Sequence, residues 1–294
     1  MRKAYFQLHL AVLLWGFTAI LGKLITLNEL WLVWYRMIIS SVTLYLYLRF
    51  TGSLQKVNKK VLLKAAGIGA IICLHWITFY GSIKASNVSV AISCFSSLAL
   101  FTSLIDPFIN KKKIHLPEII LSLAVIGGIA IIFTAQQFFM KGILMALASA
   151  FLAALFSVLN KQLYFENDPG TISVIELFSG FLFLSVLLPF LNTSPLPFPD
   201  QSDWLWLVIL STVCTSFAFT LGNFALQKLD AFTCNLTVNL EPVYSIILAI
   251  IIFKENTMLN QGFYAGSTII LLSVVFHTIY KYRMSKKQEE PLKL

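Results

Sequence analysis

"TVNLEPVYSII" (Thr237–Ile247) sets a carboxylate and a proline side by side inside a run that is otherwise oil. Widened to "CNLTVNLEPVYSIILAIIIF" (Cys234–Phe253), the stretch has twenty residues and one formal charge. About 20 mainly apolar residues are what a helix needs to cross a bilayer, so the run reads as a spanning segment. A bare carboxylate in hydrocarbon costs about 2.5–3.5 kcal/mol on insertion scales, so Glu241 is expected to face the protein interior or a wet cavity. Pro242 has no N–H for the carbonyl four residues back, so the helix is expected to break there. Asn235 and Asn239, four residues apart on one helical face, flank the break. The functional reading is a broken polar turn lining a solute path. The bland alternative is a carboxylate tied to a neighbouring helix.

The rest of the chain fits that environment. Of its 294 residues 58% are hydrophobic and 12% charged, with a mean hydropathy of +0.81. Soluble domains are roughly one quarter charged, so a water-soluble fold lacks the polar surface it needs. Apolar runs fall at about 6–26, 31–49, 61–82, 88–108, 116–135, 142–160, 171–190, 204–226, 231–253 and 262–280. The expectation is an all-α membrane protein of ten transmembrane helices. The first run is longer than a signal-peptide core and has no small-residue cleavage pattern, so it reads as a retained helix.

The net charge of +9 follows from topology. If both termini face the cytoplasm, 17 of the 22 basic residues fall on that side and four on the other, with Arg36 inside a span. Cytoplasmic loops collect Lys and Arg in this way, which removes the need for a nucleic-acid partner. Cys73, Cys94, Cys214 and Cys234 all lie in apolar runs, and neither a disulfide framework nor a metal motif is indicated. No phosphate-cradling glycine loop is present, so no cofactor is expected. Coupling to a proton or sodium gradient stays open, as does the choice between monomer and homodimer.

Internal similarity suggests duplication. "FTAILGKLI" (17–25) aligns with "LFSVLNKQL" (155–163), placing Lys23 over Lys161, and Lys84 aligns with Lys228. "EIILSLAVIGG" (118–128) faces "QGFYAGSTIILL" (261–272) at a similar offset. The expected domains are a first repeat over 1–140, a second over 141–284 and a charged cytoplasmic tail over 285–294. Five spans per repeat would make the second copy inverted, a construction common in secondary transporters.

Other polar residues sit within apolar runs. Arg36, in "WLVWYRMIISS", suits an anionic solute group or a buried glutamate. His75 and Tyr80, in "CLHWITFYG", form a candidate polar, aromatic wall with Trp76. Trp15 stands beside Gly16, Ala19 and Gly22, a small-residue line that permits close helix contact. Glu176 lies about five residues inside its run and reads equally as functional or structural. Lys23 and Lys161 read as interface anchors.

These stretches resemble a known family. "LLWGFTAILGK", "WYRMIISS", "NLEPVYSIILAIIIFKE" and "QGFYAGSTIILLS", in this order and spacing, are similar to the EamA-type transporters of the drug/metabolite transporter superfamily. The resemblance covers about residues 6–280. It implies ten helices in two oppositely oriented five-helix repeats and export of amino acids or related small metabolites from a bacterial cytoplasmic membrane. It also implies that Trp15 and Gly16 are the helix-one signature, Arg36 the helix-two arginine, Glu241 and Pro242 the helix-nine pair, and Glu255 the acidic residue that ends that helix. The first repeat departs from the pattern: "CFSSLALFTSLI" lacks a proline common there, and "NKKKIH" lacks a glutamate. The site expected from all of this is Trp15, Arg36, His75, Tyr80, Asn235, Asn239 and Glu241, with Pro242 as the helix break. Solute would move by alternating access. The competing function is a membrane-embedded enzyme acting on a lipid or lipid-linked substrate.

Overall fold

The computed structural model describes residues 2–111, 116–135, 137–191, 196–238 and 240–289. The described residues are almost entirely helical. In chain order the helices are α1 (Arg2–Gly16), α2 (Thr18–Leu24), α3 (Glu29–Phe50), α4 (Lys59–Ala85), α5 (Val88–Phe95), α6 (Leu98–Asn110), α7 (Leu116–Ala135), α8 (Met140–Leu163), α9 (Pro169–Leu187), α10 (Gln201–Ser211), α11 (Ala218–Lys228), α12 (Ala231–Val238), α13 (Glu241–Phe253) and α14 (Gln261–Glu289).

Local chemistry sets many of the starts. Asn28, Asn58, Asn87, Asp168 and Asp200 each accept a hydrogen bond from a backbone N–H three residues on, capping α3, α4, α5, α9 and α10. Each cap satisfies one of the N–H groups that a helix start leaves without an intrahelical partner. α13 ends at Lys254, whose φ of 53° is left-handed and turns the chain so that Glu255 points back into the protein.

The structure corrects the expected architecture. Seven helical runs among the described residues are long and apolar enough to cross a bilayer, not ten. They are Arg2–Leu24, Glu29–Phe50, Lys59–Ala85, Val88–Asn110, Met140–Leu163, Pro169–Phe190 and Gln201–Lys228. The protein is an all-α multi-pass membrane protein with about seven long apolar helices, and two matched sets of five are not evident. The run at 231–253 splits: α12 stops at Val238 and α13 starts at Glu241. At 1.5 Å per residue, the 13 residues of α13 reach about 20 Å against a hydrocarbon core of about 30 Å. Within 116–135 the apolar helical stretch is Leu123–Ile132. α14 continues from the apolar run into the charged sequence "KYRMSKK". Counting apolar runs overestimated the spans because composition does not show where a helix breaks or carries on past the oil.

Small residues set the close contacts. An added Cβ at Gly266 would lie 2.5 Å from the Gly128 carbonyl oxygen, so α7 and α14 meet backbone to backbone. Gly69 on α4 abuts the backbone of Glu176 on α9 in the same way. In lipid, where tails are as apolar as Leu, such close approach is what holds helices together.

Candidate functional site

At the centre of the bundle is a cavity with roughly 110 Å³ of room for water-sized molecules. One water needs about 10–15 Å³ by this measure, so the space suits several waters or a small metabolite. Its walls are largely apolar, with Trp15, Trp76, Phe79, Phe95, Phe156 and Phe219 supplying the large surfaces. Arg36, Glu241, Asn223 and Asn235 supply the polar contacts.

Arg36 is held from three sides. Its Nε donates to Thr215 Oγ1 at 2.8 Å, and its Nη1 donates to the Tyr80 hydroxyl at 2.6 Å. The guanidinium carbon sits 3.7 Å from the centroid of the Trp76 ring, a cation–π contact that supports a charge with little water around it. These contacts use only part of the guanidinium's five-donor fork. Thr215 lies in a π-helical segment, Thr212–Phe217, which joins α10 to α11. There Thr215 and Ser216 hydroxyls bond carbonyls five residues back, at 2.7 and 2.9 Å. Ser216 also donates to the Ser40 carbonyl, and Ser40 donates to the Ser211 carbonyl, each at 3.0 Å. Thus the bulge is tied to α3 beside Arg36. Single-turn π-bulges inside helices recur at functional sites.

Glu241 is the first residue of α13 and is 4% exposed. Among the described residues its carboxylate has no hydrogen-bond partner. The one salt bridge among those residues is Lys23–Glu255, so Arg36 and Glu241 face the same cavity without pairing directly. Pro242 follows at the second helical position, where its missing N–H costs nothing. The expected break therefore takes the form of a new helix start that carries the carboxylate.

The other expected residues divide. Trp15 lines the cavity and packs on Gly222, where an added Cβ would lie 2.6 Å from the indole. His75 lines it too, but its Nδ1 is engaged by the Ser149 carbonyl at 3.0 Å and the Ser149 hydroxyl at 2.8 Å, with its ring stacked on Phe95. Asn235 accepts from Ser157 at 3.0 Å and donates to Thr102 at 2.8 Å, which cross-links three helices at the wall. Tyr80 is fully buried behind Arg36 and does not line the cavity, so it positions the guanidinium. Asn239 lies outside the described residues. Sequence reasoning missed Thr215 and Asn223. A lone amide in "FTLGNFALQ" is a readable signal for Asn223, whereas nothing in "STVCTSF" announces a π-helical turn.

At one end of the molecule the bundle is tied shut. Glu255 accepts from Lys23 Nζ at 2.7 Å, from the Val88 and Ser89 N–H groups at 3.0 and 2.8 Å, and from the Ser89 hydroxyl at 2.7 Å. Asp203 takes both the N–H and the hydroxyl of Thr26, and Lys84 donates to the Ile25 and Leu27 carbonyls. Burial alone would raise the Glu255 carboxyl, but hydrogen bonds from Lys23 and Ser89 and the Lys23 charge outweigh it and hold it below the usual carboxylate range.

The EamA-like transporter family pattern matches residues 2–134 and 140–279. The chain belongs to the EamA-like transporter family. An uncharacterized transporter, YxxF, from Bacillus subtilis (strain 168) is 22% identical over 200 residues, which is 66% of this chain and 63% of that protein. An uncharacterized transporter from Archaeoglobus fulgidus is 24% identical over 294 residues, covering 95% of this chain and 98% of the other. One from Synechocystis sp. is 25% identical over 230 residues, covering 75% and 68%. A solved crystal structure superposes with a TM-score of 0.70 at 16% identity, over 97% of this chain and 99% of that one, which shows the shared fold. As an EamA-family member the protein is a membrane-embedded secondary transporter of small molecules and not an enzyme.

Proposed function

We propose that this EamA-family protein exports amino acids or closely related zwitterionic metabolites by alternating access. The observation that carries the reading is Arg36 and Glu241 facing one small, aromatic-walled cavity without pairing to each other. A solute carboxylate fits the remaining donors of the Arg36 fork, because guanidinium–carboxylate pairing is planar and bidentate. A solute ammonium fits Glu241, and the aromatic walls accept an apolar side chain. Such a solute gives each buried charge its missing counterion, which offsets the cost of keeping both out of water.

The two ends of the bundle support a reading of access. The Lys23–Glu255 end is closed by the bonds described above. The cavity lining runs the other way, toward Leu8, Leu226 and Cys234, near the start of α1 and the end of α11. Arg2, Lys3, Lys161 and Lys228 belong to that second end, and the positive-inside bias supports a cytoplasmic orientation for it. The conformation is then open toward the cytoplasm, and parting Lys23 from Glu255 opens the opposite face.

Counterflow in proteoliposomes tests this. Labelled L-phenylalanine and L-leucine are expected to exchange, while the matching carboxylic acids without an amino group and the matching amines without a carboxylate exchange weakly. Equal exchange of all four classes, or of none, rejects the zwitterion reading.

A further inference from the structure

Glu176 plays no part in the cavity, yet it is fully buried on α9, about two turns from the helix start at Pro169. The Tyr164 hydroxyl donates to its Oε2 at 3.4 Å, well beyond the usual O–H···O length of about 2.7–2.8 Å. Its Oε1 has no hydrogen-bond partner among the described residues. Asn160, also fully buried, lies beside Glu176 and Tyr164, and neither its Nδ2 nor its Oδ1 is bonded.

The surrounding elements bring no counterion. α4 presents Gly69 to the Glu176 backbone, and α3 presents Met37 to Gly180 one turn on. α11 presents Asn223 to Ser173, and the end of α8 presents Asn160 and Tyr164. Arg49, Lys59, Lys60, Lys64, Lys141 and Lys228 of these elements are exposed, and their remaining basic groups are engaged elsewhere. Arg36 is on Tyr80 and Thr215, His75 on Ser149, Lys84 on the Ile25 and Leu27 carbonyls, and Lys161 on the Leu226 and Gln227 carbonyls. Among the described residues no Lys, Arg or His lies within 4.0 Å of Glu176. Tyr164 is the titratable side chain in contact with it.

A bare carboxylate in such surroundings pays several kcal/mol of desolvation with nothing to offset it. A proton on Oε1 removes the charge and supplies the donor that the Asn160 Oδ1 lacks. A metal cation wants six or more oxygens, more than Glu176 and Asn160 provide. A link also runs from here to the cavity. Asn223 lines the cavity and donates to Ser173 Oγ at 2.8 Å; the Ser173 hydroxyl donates to the Pro169 carbonyl at 2.7 Å, and its oxygen lies beside the Tyr164 hydroxyl.

We infer that Glu176 is a proton-binding site separate from the solute cavity, linked to it through Tyr164, Ser173 and Asn223. A solute that engages the Asn223 amide disturbs Ser173 and Tyr164 and so alters the hold on the proton. By thermodynamic reciprocity the proton alters the hold on the solute. Proton and solute then act on each other from two sites and do not compete for Glu241. This linkage rests on the transport reading above, whereas proton binding itself does not.

Two measurements test it. Infrared spectroscopy of purified Glu241→Gln near neutral pH should show the carbonyl stretch of a buried protonated carboxyl, lost when Glu176→Gln is added. Absence of the band, or its survival in the double variant, overturns the proton site whatever the solute proves to be. In proteoliposomes with the membrane potential clamped at zero, a pH step should drive L-phenylalanine uphill, by about tenfold per pH unit for one proton per solute. Glu176→Gln should keep counterflow but show no uphill movement, and Ser173→Ala should keep the infrared band while its uphill ratio falls toward one. A pH response equal to wild type in either variant overturns the linkage. If Glu176→Gln loses counterflow as well, the Ser173→Ala result decides. A wild type with no flux of any panel solute overturns the amino-acid reading and, with it, the linkage to solute, leaving the infrared result to stand by itself.

Discussion

Two glutamates bracket α13, and they live in opposite circumstances. Glu255, just beyond the helix end, is fully buried and accepts four hydrogen bonds from Lys23, Val88 and Ser89. Glu241, at the helix start, is almost as buried, yet has no hydrogen-bond partner among the described residues and faces the cavity. Both carry the desolvation cost of a buried carboxylate, but only at Glu255 does the fold itself meet it. The difference separates a carboxylate that holds the fold together from one that the fold presents to a ligand.

The largest effect expected from this comparison is on stability. Glu255→Ala leaves the Val88 and Ser89 N–H groups at the start of α5 without an acceptor and strands a partly exposed Lys23, and each unsatisfied buried group costs about 1–3 kcal/mol. Glu241→Ala removes no hydrogen bond between the described residues and takes away a buried charge that lacks a partner, so it should lower thermal stability in detergent far less than Glu255→Ala. Equal destabilisation by the two variants would erase the distinction.

Transport should rank the other way. Arg36→Met removes the group that binds the solute carboxylate, and hydrogen bonds to a charged group are worth about 1.5–3 kcal/mol, so exchange should fall roughly 10- to 100-fold. Counterflow at subsaturating solute measures it. Glu241→Gln keeps the shape and loses the charge, and exchange of L-phenylalanine should drop about tenfold, one pKa-unit equivalent of 1.4 kcal/mol. Its effect on a solute without an amino group should be far smaller. A uniform loss across both solutes would make Glu241 a structural residue like Glu255.

The acid side of the comparison has a definite sign. The folded Glu255 carboxyl is held below its ordinary value by Lys23 and Ser89 in spite of burial. Its stabilising contribution is therefore complete above the unfolded value of about 4.3 and is lost as pH falls through the lower folded value. Melting temperature measured down from neutral pH should decline in that acid window, and Glu255→Gln should flatten the decline. A decline of the same steepness in Glu255→Gln would assign acid sensitivity to other carboxylates.

How far these roles could be read from sequence depends on the kind of signal. A charge in an apolar run is visible in one dimension, and Arg36, Glu241 and Glu176 were each singled out on that ground. Pro242 is visible as a break signal because a missing N–H is a property of the residue itself, and it stands at the second position of α13. The partners were not visible: Lys23 reads as an anchor until Glu255 comes 232 positions along the chain to meet it. Tyr80 reads as cavity wall, but burial behind Arg36 makes it a support. The ten-helix count failed for a related reason. Hydropathy sees oil along the chain and cannot see that α12 and α13 are separate helices, nor that α14 leaves the apolar run still helical.

The smallest expected effect probes the cavity without touching a charge. An added Cβ at Gly222 would stand 2.6 Å from Trp15 Cη2 and 3.0 Å from Cζ2, so the indole must move by about 0.8 Å to restore ordinary contact. Trp15 is partly exposed to the cavity and has room on that side, so Gly222→Ala should cost about 1 kcal/mol of stability, the lower edge of overpacking. The displaced ring takes space from the solute's side chain and not from its charged end. Half-saturation in counterflow should therefore rise about two- to threefold for L-phenylalanine, worth under 1 kcal/mol, and stay unchanged for L-alanine. An equal rise for both would mean that Trp15 touches the ammonium or carboxylate, and the division of the cavity into a charged end at Arg36 and Glu241 and an apolar end at the aromatic wall would have to be redrawn.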